Sequence, residues 1–123
     1  MSKAAKIPGP DHPIAIAPTK GRVIVRFNGA VIADSANALT LQEASYPGVQ
    51  YIPRADARMA HYKKTAHSTH CPYKGDASYF TLSAGPEQAE NAVWSYENPY
   101  PAMREIAGHL AFYPNKVEIE VKA

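Results

Sequence analysis

The chain has a single cysteine, Cys71, so it can close no disulfide within itself, and a lone thiol suits a reducing compartment. No apolar run approaches the length that crosses a membrane, and the opening MSKAAKIPGPDHP has lysines without the apolar stretch of a secretory leader. A cytoplasmic protein with no membrane partner is therefore expected. Charge of one sign is also scarce: the net value is +2, too weak to imply nucleic acid, and no nucleic-acid partner is expected. The glycines of NGAVIADS and KGDAS lack the spacing of a phosphate loop or a dinucleotide fingerprint. Ser68, Ser78 and Ser95 lack the surroundings of a nucleophile elbow. No second His/Cys pair exists to complete a structural zinc site, so no metal is expected, and no pattern names a cofactor. Repeats and low-complexity tracts are missing as well.

What is present is enough for one compact domain. The 123 residues are 46% apolar and 20% charged, ordinary for a globular chain that buries its own core. Eleven prolines disfavour long helices, and eight tyrosines suit half-buried sheet faces. Residues 1–12 are small, polar and broken by proline, which reads as a flexible N-terminal arm; residues 13–123 form the β-rich domain. In GRVIVRFNGAVIAD, Val23, Val25 and Phe27 alternate with Arg22, Ile24 and Arg26, then meet Asn28-Gly29, a strong hairpin signal. Further strands are expected over 38–42 and 49–52, separated by Pro47-Gly48, and over 78–83 and 89–96, joined through Gly85-Pro86. Two short helical segments are expected. RADARMA would place Arg54 and Arg58 on one face, and YPAMREIAG would turn Met103, Ile106 and Ala107 inward before Gly108. A last hairpin would pair HLAFY with VEIEV across Pro114-Asn115. The fold class is thus mainly β, α+β by strict count: antiparallel hairpins forming curved sheets or a partly open barrel.

The residue types that chemistry uses gather in HSTHCPYKGDASY. Cys71 is a nucleophile candidate if a histidine, a cation or a helix terminus stabilises its thiolate, with His67 or His70 as base. Adjacent strand residues face opposite sides, so His70 reaches the thiol only through a bend. A three-ligand metal reading would need His67, His70 and Cys71, with His61 or Asp76. The reading that uses most of the signal is a small anionic, nucleotide-like or phosphate-like ligand. Between Arg54 and Lys74 lie five Lys/Arg and three histidines against one aspartate. Arg54, Arg58 and Lys74 would meet the anion, with Tyr73, Asp76 and Ser78 beside them. Tyr79, Trp94 and Tyr96 would supply an aromatic wall, since Trp94 and Tyr96 share a strand face. Rival readings are an enzyme that uses Cys71 as nucleophile, or His67 or His70 as general base, on a nucleotide-like or acyl substrate, and an interaction module, including a homodimer.

THCPYKGDASYF, AENAVWSYENPYP and HLAFYPNKVEIEV, with RVIVRFNGAVIADS and YIPRADARM before them, resemble the small bacterial domains grouped as domain of unknown function 427. The resemblance runs from about His12 to Val121 and implies a compact, mainly-β fold. Its motif positions here are Arg54, Cys71, Pro72, Lys74, Gly75, Ser78, Tyr79, Trp94, Tyr96 and Tyr113. The family's label implies a nucleotidyltransferase-like activity. Such chemistry uses closely placed carboxylates to hold divalent cations; Asp76 and Glu97 are the candidates, without a paired-aspartate motif.

Overall fold

A computed structural model describes residues 5–123. Among these described residues ten strands run in order: β1 (Ile14–Pro18), β2 (Arg22–Phe27), β3 (Ala30–Ser35), β4 (Leu39–Glu43), β5 (Val49–Tyr51), β6 (Tyr62–Cys71), β7 (Gly75–Ala84), β8 (Glu87–Ser95), β9 (Ala111–Phe112) and β10 (Glu118–Lys122). All pairings are antiparallel, and they form sheets ordered β1-β4-β5, β10-β2-β3 and β6-β7-β8-β9. The chain is a mainly-β domain, and among the described residues no sheet closes into a barrel.

Local chemistry explains the best-defined hairpin. Asn28 and Gly29 both take positive φ, 49° and 78°, which a two-residue turn needs to match strand twist and which these residue types tolerate. Gly85-Pro86 likewise joins β7 to β8, with Ala84 opposite Glu87. The helical segments are 3-10 turns, at Arg54–Asp56, Met59–His61 and Pro101–Ile106.

Three expectations are corrected. Ala57 is extended, at φ −103° and ψ 145°, and bridges Ala33, so Arg54 and Arg58 share no helical face. The 101–106 segment winds at three residues per turn, which turns Met103 and Ile106 inward and leaves Ala107 exposed. The last hairpin does not form: β9 pairs with β8 and β10 pairs with β2. The reason lies in burial. Leu110, Ala111 and Phe112 are all buried and need an interior position, while Glu118 to Lys122 alternates charged and apolar residues and suits the edge beside β2.

The β7-β8-β9 part of the third sheet is covered on both faces, while the β6 edge is mostly exposed. On one side Phe80, Leu82, Val93 and Phe112 pack against Val23, Val25 and Ile32 of the β2-β3 hairpin. On the other, Ala77, Tyr79, Tyr96 and Ala111 pack with Leu41, Tyr51, Met103 and Ile106. Neighbouring residues of β7 and β8 thus serve opposite cores, as the pleat dictates. Ile52 and Leu110 exchange both backbone hydrogen bonds, 2.8 Å each, and tie the β5 end of one sheet to the β9 end of another. That tie sets the β4-β5 face opposite the β7-β8 face.

Of residues 1–12, the first four lie outside the described residues. Beyond them, Lys6 N–H donates to the Pro72 carbonyl at 2.8 Å, and Gly9 and His12 form a bridge.

Candidate functional site

The facing β4-β5 and β7-β8 surfaces enclose a cavity of about 370 Å³ lined by Leu41, Glu43, Tyr46, Pro47, Val49, Tyr51, Lys74, Tyr79, Trp94, Tyr96 and Tyr113. Strand periodicity selects them. Leu41 and Glu43 share a face of β4, Val49 and Tyr51 share a face of β5, and Leu41 lies opposite Val49. Tyr79 lies opposite Trp94 across β7 and β8, and Tyr96 follows two residues on. Cross-strand register therefore lays ring beside ring.

The rings are fixed by one another. Trp94 Nε1–H donates to the Tyr51 hydroxyl at 3.3 Å, with the two rings edge to face at 6.5 Å. Tyr113 lies 4.7 Å from Trp94 at 50°. The Tyr79 hydroxyl is 2.9 Å from Thr69 Oγ1 and 3.4 Å from the Tyr113 hydroxyl. Burial pushes the Tyr51 and Tyr96 hydroxyls far above the usual tyrosine range. Burial, with the neighbouring Tyr79 hydroxyl, pushes Tyr113 up to about 12. These three hydroxyls keep their protons at neutral pH and can donate to a ligand.

One ion pair interrupts the aromatic wall. Lys74, only 7% exposed, sets its Nζ 2.5 Å from Glu43 Oε1, 3.7 Å from Cys71 Sγ and 5.9 Å from the centre of the Tyr96 ring. Glu43 Oε2 lies 2.7 Å from His12 Nε2, and the His12 ring stacks on Tyr73 at 4.1 Å. Burial pushes the Glu43 carboxyl up, but the hydrogen bonds and charges of Lys74 and His12 pull it down further, leaving it below the ordinary value. The pair is charge-neutral, and Lys74 Nζ, with three protons and two partners, has one left to give: a built polar feature in an apolar recess.

The residues expected to bind an anion divide in two. Lys74, Tyr79, Trp94 and Tyr96 come together at the cavity, while Tyr73 supports it from behind through His12. Arg54 lies elsewhere: its guanidinium donates to the Gly108 carbonyl at 3.2 Å and Ser95 Oγ at 3.3 Å, and lies 3.3 Å from Glu97. Arg58 donates to the Val31 carbonyl, and Asp76 pairs with His70 at 2.7 Å. Ser78 acts on Glu97, whose carboxyl is held low first by Lys64 and then by Ser78. The cation excess of residues 54–74 is thereby dispersed, with Lys64 and Arg54 on Glu97 and Lys74 on Glu43.

The Cys71 thiol is half-buried against the second core with Lys74 as its polar neighbour, and no histidine among the described residues hydrogen-bonds it. His70 faces Asp76, and His67 sets its ring 4.5 Å from Tyr79. His61 bonds the Ser83 carbonyl. Among the described residues no three His, Cys, Asp or Glu side chains converge as a metal site would need. Asp76 and Glu97 do not line the cavity.

Leu41, Glu43, Tyr46, Val49 and Tyr51 form half of the cavity and went unread in the sequence, because they come from strands far from HSTHCPYKGDASY. One signal was available. In LTLQE a carboxylate occupies the position, two after Leu41, that the alternation reserves for an inward residue.

A family model described as Domain of unknown function (DUF427) matches residues 15–123. No curated protein matches the chain. With nearly the whole length matched by that one model, the chain belongs to the DUF427 family.

Proposed function

We propose that this domain binds a small, flat molecule in the tyrosine-lined cavity, its ring lying among Tyr51, Tyr79, Trp94 and Tyr96 and one acidic or hydrogen-bonding group meeting Lys74 and Glu43. The carrying observation is the composition of the wall: six aromatic residues and a single buried ion pair around about 370 Å³. Small-ligand sites have this make-up, mostly apolar with a few fixed polar groups that set orientation. Lys74 supports one anionic oxygen at most, because its charge is already matched by Glu43. A ligand rich in phosphate has less support, since Arg54 and Lys64 are held on Glu97 away from the cavity.

Trp94 is the sole tryptophan and stands in the cavity wall, so its emission reports occupancy without a label. Titration with benzoate, 4-hydroxybenzoate and nicotinate should change that emission saturably for at least one probe. Val49→Phe, which fills the cavity from β5, should abolish the change. A flat response to all three at millimolar concentration, or an unaltered response in the filled variant, overturns the proposal.

A further inference from the structure

Beyond the Tyr79 and Tyr113 rings lies a second recess, an open cleft of about 510 Å³. The two tyrosines line both recesses, so their hydroxyls, 3.4 Å apart, form the septum between an aromatic chamber and a polar one. The cleft's other walls are His67, Asn91, Asn115 and Lys116, with Glu90 at its side. One turn serves both sides: Lys116 N–H donates to the Tyr113 carbonyl at 3.0 Å, which places Tyr113 on the septum and Asn115 and Lys116 in the cleft.

The cleft's chemistry differs from that of the cavity. Asn91 holds its side chain in place by accepting from Thr65 Oγ1 at 2.7 Å through Oδ1, which leaves both Nδ2 protons to give. Neither that amide nitrogen, nor the Asn115 amide, nor the His67 ring has a side-chain hydrogen-bond partner among the described residues. Lys116 Nζ is tethered to the Glu90 carbonyl at 3.1 Å, and Glu90 and Lys116 both line the cleft, so its formal charges sum to zero. The result is a set of donors and acceptors of both kinds with no surplus of positive charge. Phosphate needs the surplus; hydroxyl groups, each donor and acceptor at once, need the mixture.

We infer that this cleft is a second subsite of the same binding site, and that the ligand is a flat ring bearing a hydroxyl-rich, sugar-like substituent. The ring occupies the aromatic chamber and the substituent lies across the Tyr79 and Tyr113 rings that both recesses share, reaching the amides of Asn91 and Asn115. This rests on the aromatic cavity being the seat of the ring.

Matched pairs of probes separate the two readings: hydroquinone with its β-glucoside, and adenine with adenosine, measured by calorimetry on the full chain. The glycosylated member of at least one pair should bind about tenfold more tightly than its bare ring, the gain of one or two added hydrogen bonds. Asn115→Ala and Lys116→Ala lie on an exposed turn. They should erase that gain and leave ring binding unchanged. Bare rings that bind as well as their glycosides refute the second subsite while the aromatic site stands. A gain that survives both substitutions also refutes it. If neither member of either pair binds, the aromatic site fails and the inference fails with it.

Discussion

Replacing Glu43 by glutamine keeps the side chain's shape, removes its charge, and leaves Lys74 as a buried ammonium whose side chain is 8% exposed. Breaking a buried pair from one side costs about 3–5 kcal/mol, because the remaining charge has lost its counter-ion. Two features lower the figure here. The Glu43 side chain is 19% exposed, and the glutamine carbonyl can still accept from Nζ. We expect Glu43→Gln to cost about 2–3 kcal/mol, which for a chain of this size lowers Tm by about 8–12 °C. The double variant Glu43→Leu with Lys74→Met should recover most of that loss, since an apolar pair of similar volume needs no counter-ion. The sign of the pH dependence is fixed as well. Glu43 titrates lower in the fold than its ordinary value of 4.5, so its contribution is full above that value and is lost as pH falls through the lower folded one. The gap between wild type and Glu43→Gln should therefore be widest near neutrality and shrink on acidification. Urea unfolding followed by Trp94 fluorescence across pH measures all of this. A cost below about 1 kcal/mol, a gap independent of pH, or a double variant no better than the single refutes the reasoning.

Tyr51→Phe removes the acceptor of the Trp94 indole N–H inside the second core and should cost about 1 kcal/mol, with a blue shift of Trp94 emission. Unchanged emission would mean that the 3.3 Å bond is not made in solution. At Gly21, φ is 87° and an added Cβ would fall 1.8 Å from the Lys122 carbonyl oxygen, whereas at Gly29, φ is 78° with open space around it. Gly29→Ala should cost about 1–2 kcal/mol from backbone conformation alone, and Gly21→Ala at least twice as much because β10 must move. Equal costs in urea titration would contradict the close approach of β10 to Gly21.

Much of the fold could be read from local chemistry. The β2-β3 hairpin followed from alternation and Asn28-Gly29, the β7-β8 hairpin from Gly85-Pro86, and the inward pair Met103 and Ile106 from a short helical segment beginning at Pro101. Long-range pairing was less legible. HLAFY and VEIEV are neighbours in sequence joined by turn residues, and nothing local says that one pairs with β8 and the other with β2. β6 was harder to see because it is a sheet edge, mostly exposed, whose residues YKKTAHSTHC carry no apolar alternation. The same limit governs the site. Lys74 in the turn before β7, Tyr79 on β7, Trp94 on β8 and Tyr96 just past its end belong to one hairpin and its flanks, while Glu43, Val49 and Tyr51 arrive from a different sheet, joined by the Ile52–Leu110 tie. Excess charge over residues 54–74 is dispersed in the fold in a way no local pattern shows: partners from distant parts of the chain, Glu43 and Glu97, pair with Lys74, Arg54 and Lys64.

The most direct test of the tyrosine-lined cavity as a ligand site is the indole N–H resonance of Trp94, a single peak in a nitrogen-correlated NMR spectrum because the chain has one tryptophan. Its proton points to Tyr51 inside the cavity wall. Titration with a set of flat aromatic acids and glycosides should move this peak saturably for some members, and Val49→Phe should hold it still. If the peak never moves, or if bound probes shift amides elsewhere while leaving it in place, the cavity is not the site.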